Sequence, residues 1–259
     1  MNYCMEKEFD LCCSDYGTVK DLRYDAAILP WGATEPHNLH LPYLTDSILS
    51  HDIAVSAAKL AQQKYGVRYM VLPPVNFGSQ NPGQQELPFC IHTRYETQKA
   101  ILIDIVSSLV RQGISRLIII NGHGGNIFKN MIRDLYCMFP EVIVASSEWY
   151  KVCRATDFFD NLGDHADELE TSVMMHYHPE LVDVSKAGDG NNVGFAPELL
   201  ASGKMWIPRN WSRISRDTGV GDPRSATAEK GRSFAEAVAE KYAEFMSEFI
   251  SDKLYEDWN

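Results

Sequence analysis

Glu35, His37 and Asp46 lie within twelve residues of one another, in the stretch Leu29-Pro-Trp-Gly-Ala-Thr-Glu35-Pro-His37-Asn-Leu-His40-Leu-Pro-Tyr-Leu-Thr-Asp46. Carboxylate and imidazole donors together suit Zn²⁺, Mn²⁺ or Fe²⁺, for which soft thiolates are not required. Alternate side chains of an extended segment point the same way, so Glu35 and His37 can face one cavity. Taken singly, each has an ordinary structural role: Asp46 as a helix cap, His37 as a loop histidine, Glu35 as a solvated charge. Two further stretches favour the metal. Asn121-Gly-His123-Gly-Gly-Asn126 sets a histidine among residues without side-chain bulk, where backbone can approach a metal or ligand closely. It lacks the lysine of a phosphate-binding loop. Gly163-Asp164-His165-Ala-Asp167-Glu168-Leu-Glu170 reads as a turn entering a helix, with acids where the helix dipole favours them. His165 and Glu168, three apart, share a side, whereas Glu170 is about 200° around the helix from Glu168. One glutamate of the two is expected to reach a site shared with His165. His176 and His178 read as helix-end histidines.

These groups need elements to hold them. Residues 25–30 form a short apolar run that reads as a buried strand, delivering the first cluster from its carboxyl end, where open parallel sheets place their sites. Gly32, Pro36 and Pro42 make the segment after that strand a rigid loop, and Asp46 opens a helix over 46–64. A strand over 69–74 leads into residues 76–88, rich in Gly, Pro and side-chain amides, a loop placed to be a substrate wall. A helix over 97–112, a strand over 116–121, a helix over 127–138 and a strand over 142–146 come next. Strands alternating with helices predict a mainly parallel sheet covered on both faces, and no linker divides residues 1–259, so one domain is expected.

Composition narrows the function. A chain of 259 residues that is 45% hydrophobic and 23% charged is an ordinary soluble globular protein able to bury a core without a stapling group. A formal net charge of −11 and no run of Lys or Arg argue against nucleic acid as a partner. No apolar stretch has the length of a membrane span, and the start lacks a signal-peptide pattern, so a cytoplasmic location is expected. Cys4, Cys12, Cys13, Cys90, Cys137 and Cys153 show no paired spacing and read as reduced thiols.

The three stretches resemble the signatures of the creatinine amidohydrolase (creatininase) family, and Gly219-Val-Gly-Asp-Pro-Arg-Ser-Ala-Thr-Ala-Glu-Lys-Gly231 is a fourth similar stretch. The resemblance implies a three-layer α/β/α sandwich with a mainly parallel central sheet, a centre of two divalent metal ions (Zn, Mn or Fe), and hydrolysis of a C–N amide-type bond. It places Glu35 and His123 on one metal and His37 on the other, with Asp46 bridging. Creatinine-cleaving members take a further glutamate where this chain has Gly125, and an aromatic residue where it has Gly124. Glu168 is therefore expected to complete the second metal site, with Glu170 as the alternative. His165, with the glutamate not bound to metal, Glu170, is expected to carry protons to the leaving nitrogen. Family substrates include creatinine, a formamidopyrimidine and a peptide trimmed in mycofactocin maturation. A small cyclic amide or formamide is the expected substrate, and a homo-oligomer, with a hexamer as the suggested form, the expected assembly. Trp149, Trp206 and Trp211 are candidates for a flat substrate wall.

Two other readings compete. A two-metal phosphoesterase would use the same donors, but no Arg or Lys stands near the motifs in sequence to hold a phosphate. A non-catalytic metal- or metabolite-binding relative is suggested by the missing glutamate at Gly125.

Overall fold

A computed structural model describes residues 7–251 and 253–256; Cys4 lies outside them. In chain order the elements are α1 (Tyr16–Val19), β1 (Ala26–Trp31), α2 (Thr45–Tyr65), β2 (Tyr69–Val71), α3 (Tyr95–Arg111), β3 (Arg116–Asn121), α4 (Lys129–Met138), β4 (Ile143–Glu148), α5 (Glu168–Tyr177), α6 (Glu198–Ala201), α7 (Trp211–Ile214) and α8 (Ala228–Phe249). Successive side chains of β1 go to opposite sides: Ala26 and Ile28 enter one apolar cluster, Ala27, Leu29 and Trp31 another. In β3, Ile118 and Ile120 take the first side, Leu117 and Ile119 the second. A strand covered on both faces must be apolar throughout, which is why these runs show no polar alternation.

The sheet has the order β2-β1-β3-β4, and every pairing is parallel. Side chains of α2, α5 and α8 fill the first cluster. Those of α3 and α4 fill the second. The result is the parallel sheet covered on both faces that the alternating pattern predicts, and the three-layer α/β/α arrangement that the resemblance implies. Each fully buried Leu, Ile or Phe in these layers contributes roughly 1.5–3 kcal/mol relative to exposure. No described helix is long and apolar enough to cross a membrane.

Two elements differ from the expectation. β2 ends at Val71, short of 74, because Pro73 and Pro74 have no N–H to give a neighbouring strand. The long α8 was not anticipated at all, although its buried Phe234, Ala235, Val238, Tyr242, Met246 and Phe249 form one apolar face packed on α2 and α5.

Candidate metal centre and active site

From β1 the chain crosses to β2 on one side and later returns to β3 on the other, so the strand order reverses between β1 and β3. In open α/β sheets ligands bind outside the carboxyl ends at such a point. The loop leaving β1 carries Glu35 and His37, the turn leaving β3 carries His123, and the first turn of α2 lies across both with Asp46. A Cβ on Gly32 would come 2.4 Å from the Ser47 backbone N, and one on Gly122 would come 2.3 Å from the Asp46 carbonyl O. Only glycine lets both strand ends reach the helix terminus. The N-cap of α2 is Leu44, so Asp46 is a first-turn acid favoured by the helix dipole and not a cap.

Asp46 Oδ1 lies 2.9 Å from His37 Nε2, and Asp46 Oδ2 lies 3.2 Å from His123 Nδ1. Glu35 Oε1 is 3.0 Å from His123 Nδ1 and 3.6 Å from His165 Nδ1. The far nitrogen of each ring faces a backbone carbonyl: His37 Nδ1 with Glu35 O at 3.0 Å, His123 Nε2 with Ser79 O at 2.7 Å, His165 Nε2 with Pro36 O at 2.8 Å. A carbonyl can only accept, so these three nitrogens carry the hydrogens and the inner nitrogens are turned toward the carboxylates. That is how metal-ligating histidines are oriented. Asp46 Oδ2 is a buried oxygen with no hydrogen-bond partner among the described residues.

Donor atoms of Glu35, Asp46 and His123 lie within 4.8 Å of one another, as do those of His37, Asp46 and Glu170, and those of Glu35, His37 and His165. Asp46 belongs to the first two sets, one oxygen facing each, and these N and O donors suit Zn²⁺ or Mn²⁺. Burial disfavours charge on His37, but Asp46, Glu170 and Glu35 outweigh it and push its pKa up to about 10. His123 is raised against burial by Glu35 and Asp46. Burial, together with the charges of Asp46 and Asp167, lifts Glu170 to about 8 against the pull of His37. Divalent cations would replace these protons in satisfying the same oxygens.

The two glutamates of α5 are placed the other way round from the expectation. Glu170 joins His37 and Asp46, and its Oε2 accepts from the Ala166 N–H at 2.6 Å. Glu168 is fully buried away from them, its oxygens taken by Lys230 Nζ and the N–H groups of Asp160 (3.0 Å) and Asn161 (2.6 Å). The cause is local. Asp167 caps α5 by accepting from the Glu170 N–H, so His165 precedes the helix and helical spacing does not apply to it. Ala166 between them has φ 51°, a left-handed turn that re-aims the chain. The fourth similar stretch supports this turn from outside, Val220 exchanging backbone hydrogen bonds with His165 at 2.8 and 3.2 Å.

A cavity of about 540 Å³ opens over the cluster, in the range that takes a drug-sized ligand. Its wall includes Gln84, from the loop expected to be a substrate wall but not singled out within it, and two residues that sequence reading missed, Tyr150 and Arg209. Gln84, from the amide-rich loop after β2, donates its Nε2–H to Glu35 Oε2. Tyr150, just past β4, donates to Glu148 Oε1 at 3.2 Å. Both come after strand ends, a signal that was there to read; nothing in the irregular run around Arg209 marked it. Trp206 and Trp211 line the cavity, whereas Trp149 is a core residue packed edge-on against Phe234. Arg209 and Lys151 also show that basic side chains do reach the site in space.

Comparison with known proteins identifies the family and the fold. The family model described as creatinine amidohydrolase matches residues 14–246. The chain is 30% identical over 225 residues to the mycofactocin precursor peptide peptidase of Mycobacterium ulcerans (strain Agy99), covering 83% of this chain and 82% of that one. A crystal structure from Bacteroides fragilis NCTC 9343, of a protein provisionally called a creatinine amidohydrolase, is 57% identical with a TM-score of 0.95, covering 97% of this chain and 100% of its own. A mutant creatininase solved in a Zn–Zn form has a TM-score of 0.71 at 23% identity, covering 89% and 97% of the two chains, and so shares the fold.

Proposed function

Because this chain belongs to the creatinine amidohydrolase (creatininase) family, we propose that it is a two-metal hydrolase that cleaves a C–N amide bond in the cavity above Asp46. The observation that carries the reading is the set of three histidines whose outer N–H groups are donated to backbone carbonyls while their inner nitrogens meet Glu35 and Asp46. Glu35, His123 and Asp46 would hold one ion, and His37, Glu170 and Asp46 the other. Such ions supply Lewis acidity and make water acidic enough to serve as a nucleophile near neutral pH.

The remaining work falls to side chains. His165 keeps its Nε2–H on Pro36 O, which leaves Nδ1 to take a proton and return it to the departing nitrogen. An amide nitrogen leaves poorly without that proton. Glu35 is held by Gln84 on one oxygen, so its other oxygen is aimed at His123 and His165. Trp211 packs edge-on against His165 with centroids 5.3 Å apart, fixing that ring and keeping water from one side of it.

Creatinine, other cyclic amides and formamides are one substrate group. The size of the cavity and the 30% identity to a precursor peptide peptidase support a second, peptide-like amides. Elemental analysis of purified protein is expected to give two divalent ions per chain, with one fewer in His123→Ala and both lost in Asp46→Ala. Assays on creatinine, formamides and short peptides are expected to show turnover that both variants abolish. Fewer than one ion per wild-type chain, or full activity in either variant, would overturn the assignment.

A further inference from the structure

The charged groups around the cavity are mostly acidic: Glu35, Asp46, Glu148, Asp164, Asp167 and Glu170 all line it. Against them stand Lys151, engaged with Glu148 at 2.8 Å, and Arg209. The Arg209 guanidinium lies over the ring of Trp211, 4.8 Å from its centroid. Trp211 cannot drift, because its Nε1–H donates to Thr218 O at 3.0 Å and its backbone N–H donates to Pro82 O at 2.7 Å. The same ring packs edge-on against His165. Arg209 is thus held one indole away from the residue that handles the proton of the leaving group.

A guanidinium presents five N–H donors in a planar fork. Among the described residues the Arg209 fork is engaged only by Asp164, one contact of 2.8 Å between Nη1 and Oδ2. Both partners are open to water, with side chains 33% and 51% exposed, so this pair is weak and a ligand can displace it. A bidentate carboxylate on a stacked guanidinium is a stronger contact than this solvent-exposed pair.

We propose that Arg209 is the anion-binding residue of this cavity and that the amide cleaved here carries a free carboxylate. The inference rests on the cavity being where an amide is cut, and it narrows the substrate class. The ligand is either an N-acyl amino acid or the C-terminal end of a peptide, which share this chemistry.

Calorimetry on the protein as isolated, with its metal content measured, separates these cases. The probes are N-acetyl-leucine, an acetylated Gly-Gly-Leu peptide with a free C-terminus, and the carboxamide of each. At least one acid is expected to bind about tenfold more tightly than its carboxamide. The acid with the larger preference identifies the source. Arg209→Gln should erase that preference, Arg209→Lys should restore part of it, and Asp164→Asn should strengthen acid binding by removing a competitor. Equal affinity for acid and carboxamide in the wild type, or no binding of either acid, overturns the proposal. So does a preference that survives Arg209→Gln, since the carboxylate would then be held elsewhere. A protein that binds as expected but hydrolyses none of the amides would count against the hydrolytic reading and not against this one.

Discussion

Glu168 and Glu170 stand two residues apart on the first turn of α5 and face separate surroundings, Glu170 with His37 and Asp46, Glu168 with Lys230. Exchanging each for glutamine distinguishes them. Glu170→Gln is expected to lose one metal equivalent and more than about 100-fold in activity, since even outer partners of metal ligands cost 10–100-fold. Glu168→Gln is expected to keep both ions and to be about 1.5–3 kcal/mol less stable, through weakened charged hydrogen bonds to Lys230 and two backbone N–H groups. Metal analysis paired with denaturant melts checks both.

Gly125 and Gly124 should respond unequally to one added methyl group. A Cβ at Gly125 would come 2.1 Å from Ser79 O and 2.5 Å from His123 Nε2, the two atoms whose hydrogen bond orients His123. Gly125→Ala is expected to lower metal affinity and activity together. At Gly124 the nearest neighbour would be the Tyr150 hydroxyl oxygen at 3.5 Å, an ordinary contact. Gly124→Ala is expected to stay within about 0.5 kcal/mol of wild type in stability and to retain its ions.

Gln84→Leu removes the donor to Glu35 Oε2 while leaving every proposed metal ligand in the sequence unchanged. Metal affinity is expected to fall roughly 10–100-fold, as for other outer partners. Competition with a chelator of known strength measures it, and unchanged affinity would mean that Gln84 does not orient Glu35.

A separate charge network gives stability a pH dependence. Burial opposes charge on His51, but the hydrogen bond to Asp10 at 3.0 Å and the Asp52 carboxylate 3.7 Å away push its pKa up to about 12, far above its unfolded value. The stabilisation is therefore fully present below the unfolded pKa of about 6.5 and is lost progressively as pH rises toward 12. Asp10 and Asp52 are both lowered, in spite of burial, by their histidine partners, so their contribution is present above about pH 4 and lost as pH falls further. Metal-loaded protein is expected to be more stable at about pH 6 than at about pH 9, and His51→Gln should flatten that difference in denaturant melts.

Much of this was legible in the chain. The continuous apolar runs of β1 and β3 could only be strands buried on both faces, and that fixed the site at their carboxyl ends together with Glu35, His37 and His123. Asp46 came with the helix that had to be next. The choice between Glu168 and Glu170 failed for a specific reason: it extended helical spacing back to His165, across the cap at Asp167 and the left-handed Ala166, where no helix exists. Trp206 and Trp211, legible as candidate walls, line the cavity, but Arg209 was out of reach because residues 187–227 have little regular structure, and its place depends on the Trp211 ring that Pro82 and Thr218 hold by tertiary contacts.

The hydrogen bond from Gln84 to Glu35 joins the loop that borders the ligand cavity to a carboxylate at its base. Any insertion or exchange in that loop that moves Gln84 alters the tilt and basicity of a donor beneath the reacting bond. Under the proposed function, preference and reactivity share this contact, and a redesign of the one would have to retune the other in the same stroke.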